Sequence, residues 1–288
     1  EGSMNANIRE IITGLGDLPT LPTVVSKVVA MCDDPMTSAG DMEQVFSMDQ
    51  ALTAKVLKLI NSSYFSLPRR VSSVTRAVAF LGFNAVKAIA LTSSVLEMFS
   101  GEKGGSNLDY LAFWRHALGT AAGAKILAKK TRLFQMDDAF VAGLLHDIGK
   151  IVLDQLIHDQ YVEVLRCARD ESLWILRAEQ KLLGFDHTEV GEMVADQWKL
   201  PELLSTAIRY HHSPSGVEKN LIKFVGVVHM ADYLCRASGV GSGGDAQMPV
   251  LQQEMVRGLG VSAQDQKDVE KEIAASVAEA EVFLQMAG

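Results

Sequence analysis

Apolar residues recur every three or four positions along almost the whole 288-residue chain, and period-two alternation is hard to find. That spacing lines one face of an α-helix and would scatter over both faces of a strand, so the chain is expected to be all-α. Ile8, Ile11, Ile12 and Leu15 predict a short amphipathic helix stopped by Gly16 and Pro19. Leu18-Pro19-Thr20-Leu21-Pro22 follows as an extended connector, because a residue before proline is pushed out of the α region. Thr23 is placed to cap a helix carrying Val24, Val25, Val28, Val29 and Met31, which Asp33-Asp34-Pro35 ends. Helices over Ser38–Met48 and Gln50–Ile60 come next, with Asp49, Asn61 and Tyr64 as capping and interhelical hydrogen-bonding residues. Val74, Val78 and Leu81 are core positions, and Gly82 allows a tight turn into a helix over Asn84–Met98. Later helices are expected at about 109–130, 137–148, 159–169, 172–183, 187–198, 201–210 and 221–236. A last one over Asp265–Met286 carries Val269, Ile273, Val277, Ala280 and Leu284 at helical spacing and should pack back on the body.

Ser100 to Ser106 contains glycines, serines and two charges but no apolar residue, which places a boundary there. Residues 5–100 then form an N-terminal helical part, and residues 107–288 a second one. Gly239 to Gly244 reads as another flexible loop, since it lacks the Gly-Lys-Ser/Thr ending of a phosphate-cradling loop. A hydrophobic content of 48% is ample for a sizeable core. The most apolar region, Ala77–Phe99, is interrupted by Asn84, Lys87 and Glu97, so it is expected to be a buried helix pair and not a membrane span. A net charge of −8 argues against DNA as a partner, because phosphate contacts need clustered Lys and Arg. Lys129-Lys130-Thr131-Arg132 reads as a solvated helix end. Three widely spaced cysteines fit a reducing cytoplasm better than a disulfide framework. Glu1-Gly2-Ser3 ahead of Met4 reads as an added leader, and no signal peptide is visible after it. The expectation is a cytoplasmic protein with no membrane partner.

The chemistry concentrates in Gly143-Leu144-Leu145-His146-Asp147-Ile148-Gly149-Lys150. An imidazole and a carboxylate inside an apolar run must be satisfied, because burying them unpaired costs several kcal/mol. A divalent cation takes both at once. If the stretch is one helix, Lys150 projects from the face of His146, where a cation beside a metal would hold a phosphate. The chain has seven histidines. His116 lies mid-helix among apolar residues, His187 opens a helix, and His211-His212 end one before Ser213-Pro214. Asp232 sits in another apolar helix, with Arg236 one turn on as an ion-pair partner. His158 reads as a surface residue and His229 as structural. Taken singly, each of these is more often an ordinary hydrogen-bonded residue than a ligand. Five histidines and two aspartates on separate helices, in a chain otherwise poor in histidine, make a set.

The order His, His-Asp, His, His-His, Asp resembles the HD superfamily of metal-dependent phosphohydrolases. Upstream, Leu18-Pro-Thr-Leu-Pro22, Met48-Asp-Gln-Ala-Leu-Thr53, Leu57-Lys-Leu-Ile-Asn-Ser-Ser-Tyr64 and Ala77-Val-Ala-Phe-Leu-Gly82 narrow the resemblance to the HDOD family. It runs from about residue 14 to about residue 235. The resemblance implies an all-α fold and a role in bacterial signal transduction. By likeness to relatives with two metals, His116, His146, Asp147 and Asp232 would hold one divalent ion. Asp147 would bridge to a second, held by His187, His211 and His212, and Lys150 would contact the substrate phosphate. Asp147 and Lys150 are thereby the candidate catalytic pair. Ala112 stands where some relatives carry a further carboxylate ligand. Ser213-Pro214-Ser215-Gly216 follows His212 where the cyclic-di-GMP phosphodiesterases of the superfamily carry a Gly-Tyr-Pro run. His and carboxylate donors suit Fe, Mn, Zn or Ni alike.

Two functions are compatible with this pattern. One is a metal-dependent phosphohydrolase acting on a phosphate-containing small molecule or nucleotide, with Asp147 orienting the reactive groups and Lys150 stabilising phosphoryl charge. The other is a non-catalytic signalling module in which the metal or a small ligand is structural or regulatory. The N-terminal part carries no catalytic constellation of its own, and an apolar groove between the two halves, including Tyr64, Phe65 and Phe83, is the surface expected to receive a helix of a signalling protein partner or a small ligand.

Overall fold

The computed structural model describes residues 20–32, 34–65, 67–100, 108–245 and 247–285. The helix expected at Ile8–Leu15, the start of the following connector and most of the linker at Ser100–Ser106 lie outside these residues. Every regular element among the described residues is helical.

The first part is built from α1 (Thr23–Cys32), α2 (Ala39–Ser47), α3 (Gln50–Ile60), α4 (Val74–Leu81) and α5 (Phe83–Met98). Local chemistry sets their starts. Ser38 and Asp41 form a reciprocal capping box on α2, and Asp49 Oδ1 accepts the Leu52 amide at 2.9 Å to begin α3. Asn61 closes α3 and clamps the returning chain. Its Nδ2 donates to Leu57 O (2.7 Å) and Val71 O (2.8 Å), while its Oδ1 accepts the Val71 amide at 2.7 Å. Gly82, at φ +85°, turns α4 into α5 through 120°. Residues Ala85 to Leu96 of α5 are all buried, which is why its sequence is apolar around its whole circumference. Even Lys87 is enclosed, its ammonium on Asp138 Oδ1 at 2.9 Å. Among the described residues no single helix is long and apolar enough to cross a membrane.

The second part comprises α6 (Tyr110–Lys130), α7 (Met136–Leu145), α8 (Ile148–Leu156), α9 (His158–Asp170), α10 (Ile175–Leu182), α11 (His187–Gln197), α12 (Glu202–Tyr210) and α13 (Ile222–Ala237). It ends in α14 (Gln253–Leu259), α15 (Ala263–Glu279) and α16 (Glu281–Leu284). The long α6 packs against α7, α13 and α15, and α5 packs against α1, α3, α4 and α7. One contiguous apolar core therefore runs from Leu21 to Leu284 through both parts. Val269, Ile273 and Val277 of α15 are buried against it, as their spacing required.

Two local expectations change. The stretch from Met136 onward is not one helix: α7 ends at Leu145, α8 starts at Ile148, and His146-Asp147 form the break. The proposed groove at Tyr64 is filled. Phe283 meets the Tyr64 ring edge-on with centroids 5.7 Å apart, and the Phe65 and Phe140 rings stand 5.0 Å and 6.2 Å from it. Phe83 lines a separate cavity beside Cys32 and Asp34.

The crossing of α8 and α11 depends on Gly149, where a Cβ would stand 2.0 Å from the His187 carbonyl oxygen and 2.9 Å from the Gly191 nitrogen. Backbone atoms cannot yield, so Gly149→Ala is expected to destabilise the fold by at least ~2 kcal/mol in urea unfolding. Gly258→Ala, whose Cβ would meet nothing within 4 Å, is the control and should be neutral or slightly stabilising. Equal stability of the two variants would contradict this packing.

Candidate metal centre

The break between α7 and α8 turns His146 and Asp147 inward, where four other elements deliver polar side chains to the same point. His116 comes from the middle of α6, His187 from the first position of α11, His211 and His212 from the end of α12, and Asp232 from α13. All seven are buried. His116 Nε2 lies 3.1 Å from Asp232 Oδ1 and 3.3 Å from His146 Nε2. His146 Nε2 is 3.3 Å from Asp147 Oδ2. On the other side of the carboxylate, Asp147 Oδ1 lies 3.3 Å from His187 Nε2 and 3.5 Å from His211 Nε2. His212 Nε2 sits 3.1 Å from His187 Nε2. Two groups of ligand atoms result, each with its members within 4.8 Å of one another: His116, His146 and Asp147, and Asp147, His187, His211 and His212. Asp147 belongs to both. Asp232 adjoins the first group.

The hydrogen bonds behind the rings fix which nitrogen faces inward. His146 Nδ1 donates to Gly143 O at 2.7 Å, His211 Nδ1 to Ile208 O at 2.8 Å, and His187 Nδ1 to Glu179 Oε2 at 2.6 Å. Oxygen acceptors require the proton on Nδ1 and turn Nε2 of each ring toward the centre, where a neutral ring presents its lone pair. Lone pairs thus face a carboxylate and one another. Asp147 Oδ1, His211 Nε2 and Asp232 Oδ2 are buried with no hydrogen-bond partner. An uncompensated cluster of this kind is costly, and a cation at its centre satisfies every member. The residues fit a metal site.

Protonation follows the same logic. Burial drives His211 down to about 4 and holds His212 well below the usual imidazole range, with neighbouring histidines adding to both. Burial also lowers His116. Burial works against the charged form of Asp147, but His146 and Lys150 hold its carboxyl well below the ordinary value. For Asp232, burial is likewise outweighed, chiefly by Arg236 and His116. Neutral imidazoles and ionised carboxylates are the metal-binding forms. His187 is the exception: burial opposes its charge, yet the Glu179 carboxylate raises it to about 9.

Lys150 is not open to a substrate here. Its side chain is fully buried, and its ammonium donates to Asp147 Oδ2 (2.8 Å), Asp245 Oδ2 (3.0 Å) and Gly243 O (3.0 Å). Those acceptors take all three of its protons. The helix break explains the change from the sequence expectation, because Lys150 now faces Asp147 and not the side of His146. Arg236 completes the layer, with Nε on Asp232 Oδ1 at 2.8 Å and Nη2 on Asp245 Oδ2 at 2.9 Å.

The loop Gly239–Gly244, expected to be flexible, is the wall of the site. The Ser242 amide donates to Ala112 O at 2.9 Å. A Cβ on Gly241 would stand 2.2 Å from the His116 nitrogen, and one on Gly243 would stand 2.9 Å from Asp147 Oδ2. Its glycines serve close approach. Ala112, where some relatives were expected to carry a carboxylate ligand, meets this loop through its backbone oxygen. On the opposite side a cleft of about 600 Å³ reaches His212, lined by Trp174, Arg177, Gln180, Asp186 and Arg209. Trp174 stands edge-on to the His212 ring at 4.6 Å. His212 is 8% exposed while the other six ligand-type residues are at 0–1%, so this cleft is the approach from solvent.

The HDOD domain family model matches residues 18–214. The chain belongs to the HDOD domain family. Among solved structures, an HDOD domain protein of unknown function from Geobacter sulfurreducens is 28% identical, with a TM-score of 0.79 over 99% of this chain and 97% of that one. A Shewanella amazonensis protein provisionally named a phosphohydrolase shares the fold at 20% identity and a TM-score of 0.74, covering 97% and 98% of the two chains. An uncharacterized protein of Treponema pallidum (strain Nichols) is 26% identical over 223 residues, which are 75% of this chain and 42% of that protein. This HDOD chain therefore spans less than half the length of that relative.

The sequence reading missed Glu179 and Asp245, the two carboxylates that brace the HDOD site from outside. Glu179 accepts the His187 ring and also its amide at 3.0 Å, with Tyr161 Oη at 2.9 Å on its other oxygen. Its position, eight residues before His187 with a glycine between, carries no local signal. His229 lies outside the ligand set: its Nδ1 donates to His211 O at 2.7 Å and its Nε2 accepts the Gln252 amide. His158, half-buried, bonds Asp154. Glu179→Gln keeps the shape behind His187 and removes the charge. We expect metal affinity to fall roughly 10–100-fold in a chelator competition titration; unchanged affinity would show that Glu179 does not tune the site.

Proposed function

We propose that this HDOD protein holds two divalent metal ions and acts as a phosphohydrolase on a small phosphoester or nucleotide. The observation that carries the reading is the convergence of five histidines and two aspartates, with Asp147 shared between two ligand groups and buried ligand atoms lacking any protein partner. His116, His146, Asp147 and Asp232 would hold one ion, and Asp147, His187, His211 and His212 the other. Iron, manganese, zinc and nickel all accept this donor set. Such ions would supply Lewis acidity toward a phosphoryl oxygen and a nucleophile at neutral pH. The chain's own residues supply the rest. Asp147, fixed by Lys150, orients the two halves of the centre. The Gly239–Gly244 wall and its Lys150–Asp245–Arg236 layer exclude water from the rear. A substrate would enter past His212, where Trp174 offers an aromatic face and Arg177 an anion contact, while Arg209 is held by Glu189 and Glu192. The fold shared with the Shewanella protein named as a phosphohydrolase supports this reading at the level of architecture alone.

A second reading, a signalling module with a structural or regulatory metal, is favoured by one observation: the ammonium of Lys150 is fully committed and leaves the site without that substrate contact. In both readings the protein takes part in signal transduction, with a small phosphorylated ligand or a partner protein as its counterpart. The two are separated by a screen of phosphomonoesters, phosphodiesters and nucleotides against metal-loaded protein, beside His211→Ala. Turnover lost in the variant is the expected result. No turnover with any substrate class, in protein shown to carry its metal, would leave the regulatory reading.

A further inference from the structure

A cavity of about 880 Å³ lies far along the chain from the candidate metal ligands, between α3 and the segment that returns from it to α4. That volume falls within the roughly 300–1,000 Å³ of small-molecule sites. Three cations line it: Lys58 on α3, and Arg69 and Arg70 on the returning segment. All three are exposed at its rim, and no carboxylate lines the cavity with them. None forms an ion pair among the described residues, whereas the neighbouring Lys55 is paired with Glu97. In a chain of net charge −8, a concave surface carrying three uncompensated cations is a local reversal of the field and concentrates anions.

The backbone beneath these residues is held in place before any ligand arrives. The three-way hold of Asn61 on Leu57 and on both polar groups of Val71 fixes where Arg70 leaves the chain. Ser62 is tied to Leu59 O at 2.6 Å. The family-like run Leu57–Tyr64 thus has a structural product, a clamped basic cleft, that the metal centre does not use. Guanidinium groups match phosphate oxygens in pairs, and Arg69 and Arg70 both line this cavity, while Lys58 adds a point charge from α3.

We propose that the cleft bounded by Lys58, Arg69 and Arg70 is a binding site for a small phosphorylated anion, distinct from the metal centre and independent of whether that centre turns over.

The test is isothermal titration of the full chain with inorganic pyrophosphate after chelator treatment, so that no metal competes for the probe. Wild type is expected to bind with saturation at one site. Arg69→Ala/Arg70→Ala should weaken binding at least ~10-fold, as two charge-assisted contacts are lost. Lys58→Ala should weaken it by a smaller factor. Arg177→Ala, in the cleft at His212, should leave it unchanged. The substituted side chains are exposed, and an unaltered melting temperature verifies folding. No saturable binding by wild type would overturn the proposal, as would equal affinity in Arg69→Ala/Arg70→Ala, or a loss confined to Arg177→Ala.

Discussion

One carboxylate organises the second half of the molecule. Asp147 is wholly buried, yet two oxygen atoms must answer to imidazoles arriving from α6, α11 and α12, to its neighbour His146, and to the ammonium of Lys150. A charge so placed is tolerated only when its partners are fixed, because an unpaired buried carboxylate costs many kcal/mol. The surrounding structure is arranged to that end. The chain breaks its helix at His146-Asp147, Gly149 lets α11 approach within contact, and the Gly-rich segment after α13 presses its backbone against His116 and Asp147.

The layers outside the ligands explain how so many polar groups share one interior. Backbone carbonyls of Gly143 and Ile208 and the carboxylate of Glu179 orient three rings, so that their Nε2 atoms converge on Asp147. Asp245 links Lys150 and Arg236 and reaches across to the Ile175 amide at 2.9 Å, tying the start of α10 to the site wall. The result is a centre sealed at the rear and approached past His212. A metal in it would both complete the chemistry and stabilise the packing of the helices that supply ligands.

The helical fold was legible because burial of one face leaves a period that survives in sequence, and α5 stands out because burial on all sides leaves no polar face. The convergence of these histidines and aspartates was legible because histidine is scarce elsewhere in the chain, with only His158 and His229 outside the cluster. What stayed hidden is what depends on contacts between distant positions. Asp245 lies 95 residues from Lys150 and looks like the end of a flexible loop. Glu179 looks like one more surface acid on an amphipathic helix. The break at His146-Asp147 has no glycine or proline at its centre to announce it, so the lysine beyond it was assigned to the wrong neighbour. The aromatic groove at Tyr64 looked open because its occupant, Phe283, comes from the far end of the chain.

The central claim is that the seven converging residues are a metal centre. The most direct measurement is elemental analysis of protein purified without chelator or a His tag, beside His146→Ala/Asp147→Ala. The account predicts about two metal ions per chain in the wild type, given two ligand groups that share Asp147, and near-complete loss in the variant. Folded wild-type protein with no bound metal, before and after incubation with iron, manganese, zinc or nickel, would contradict it.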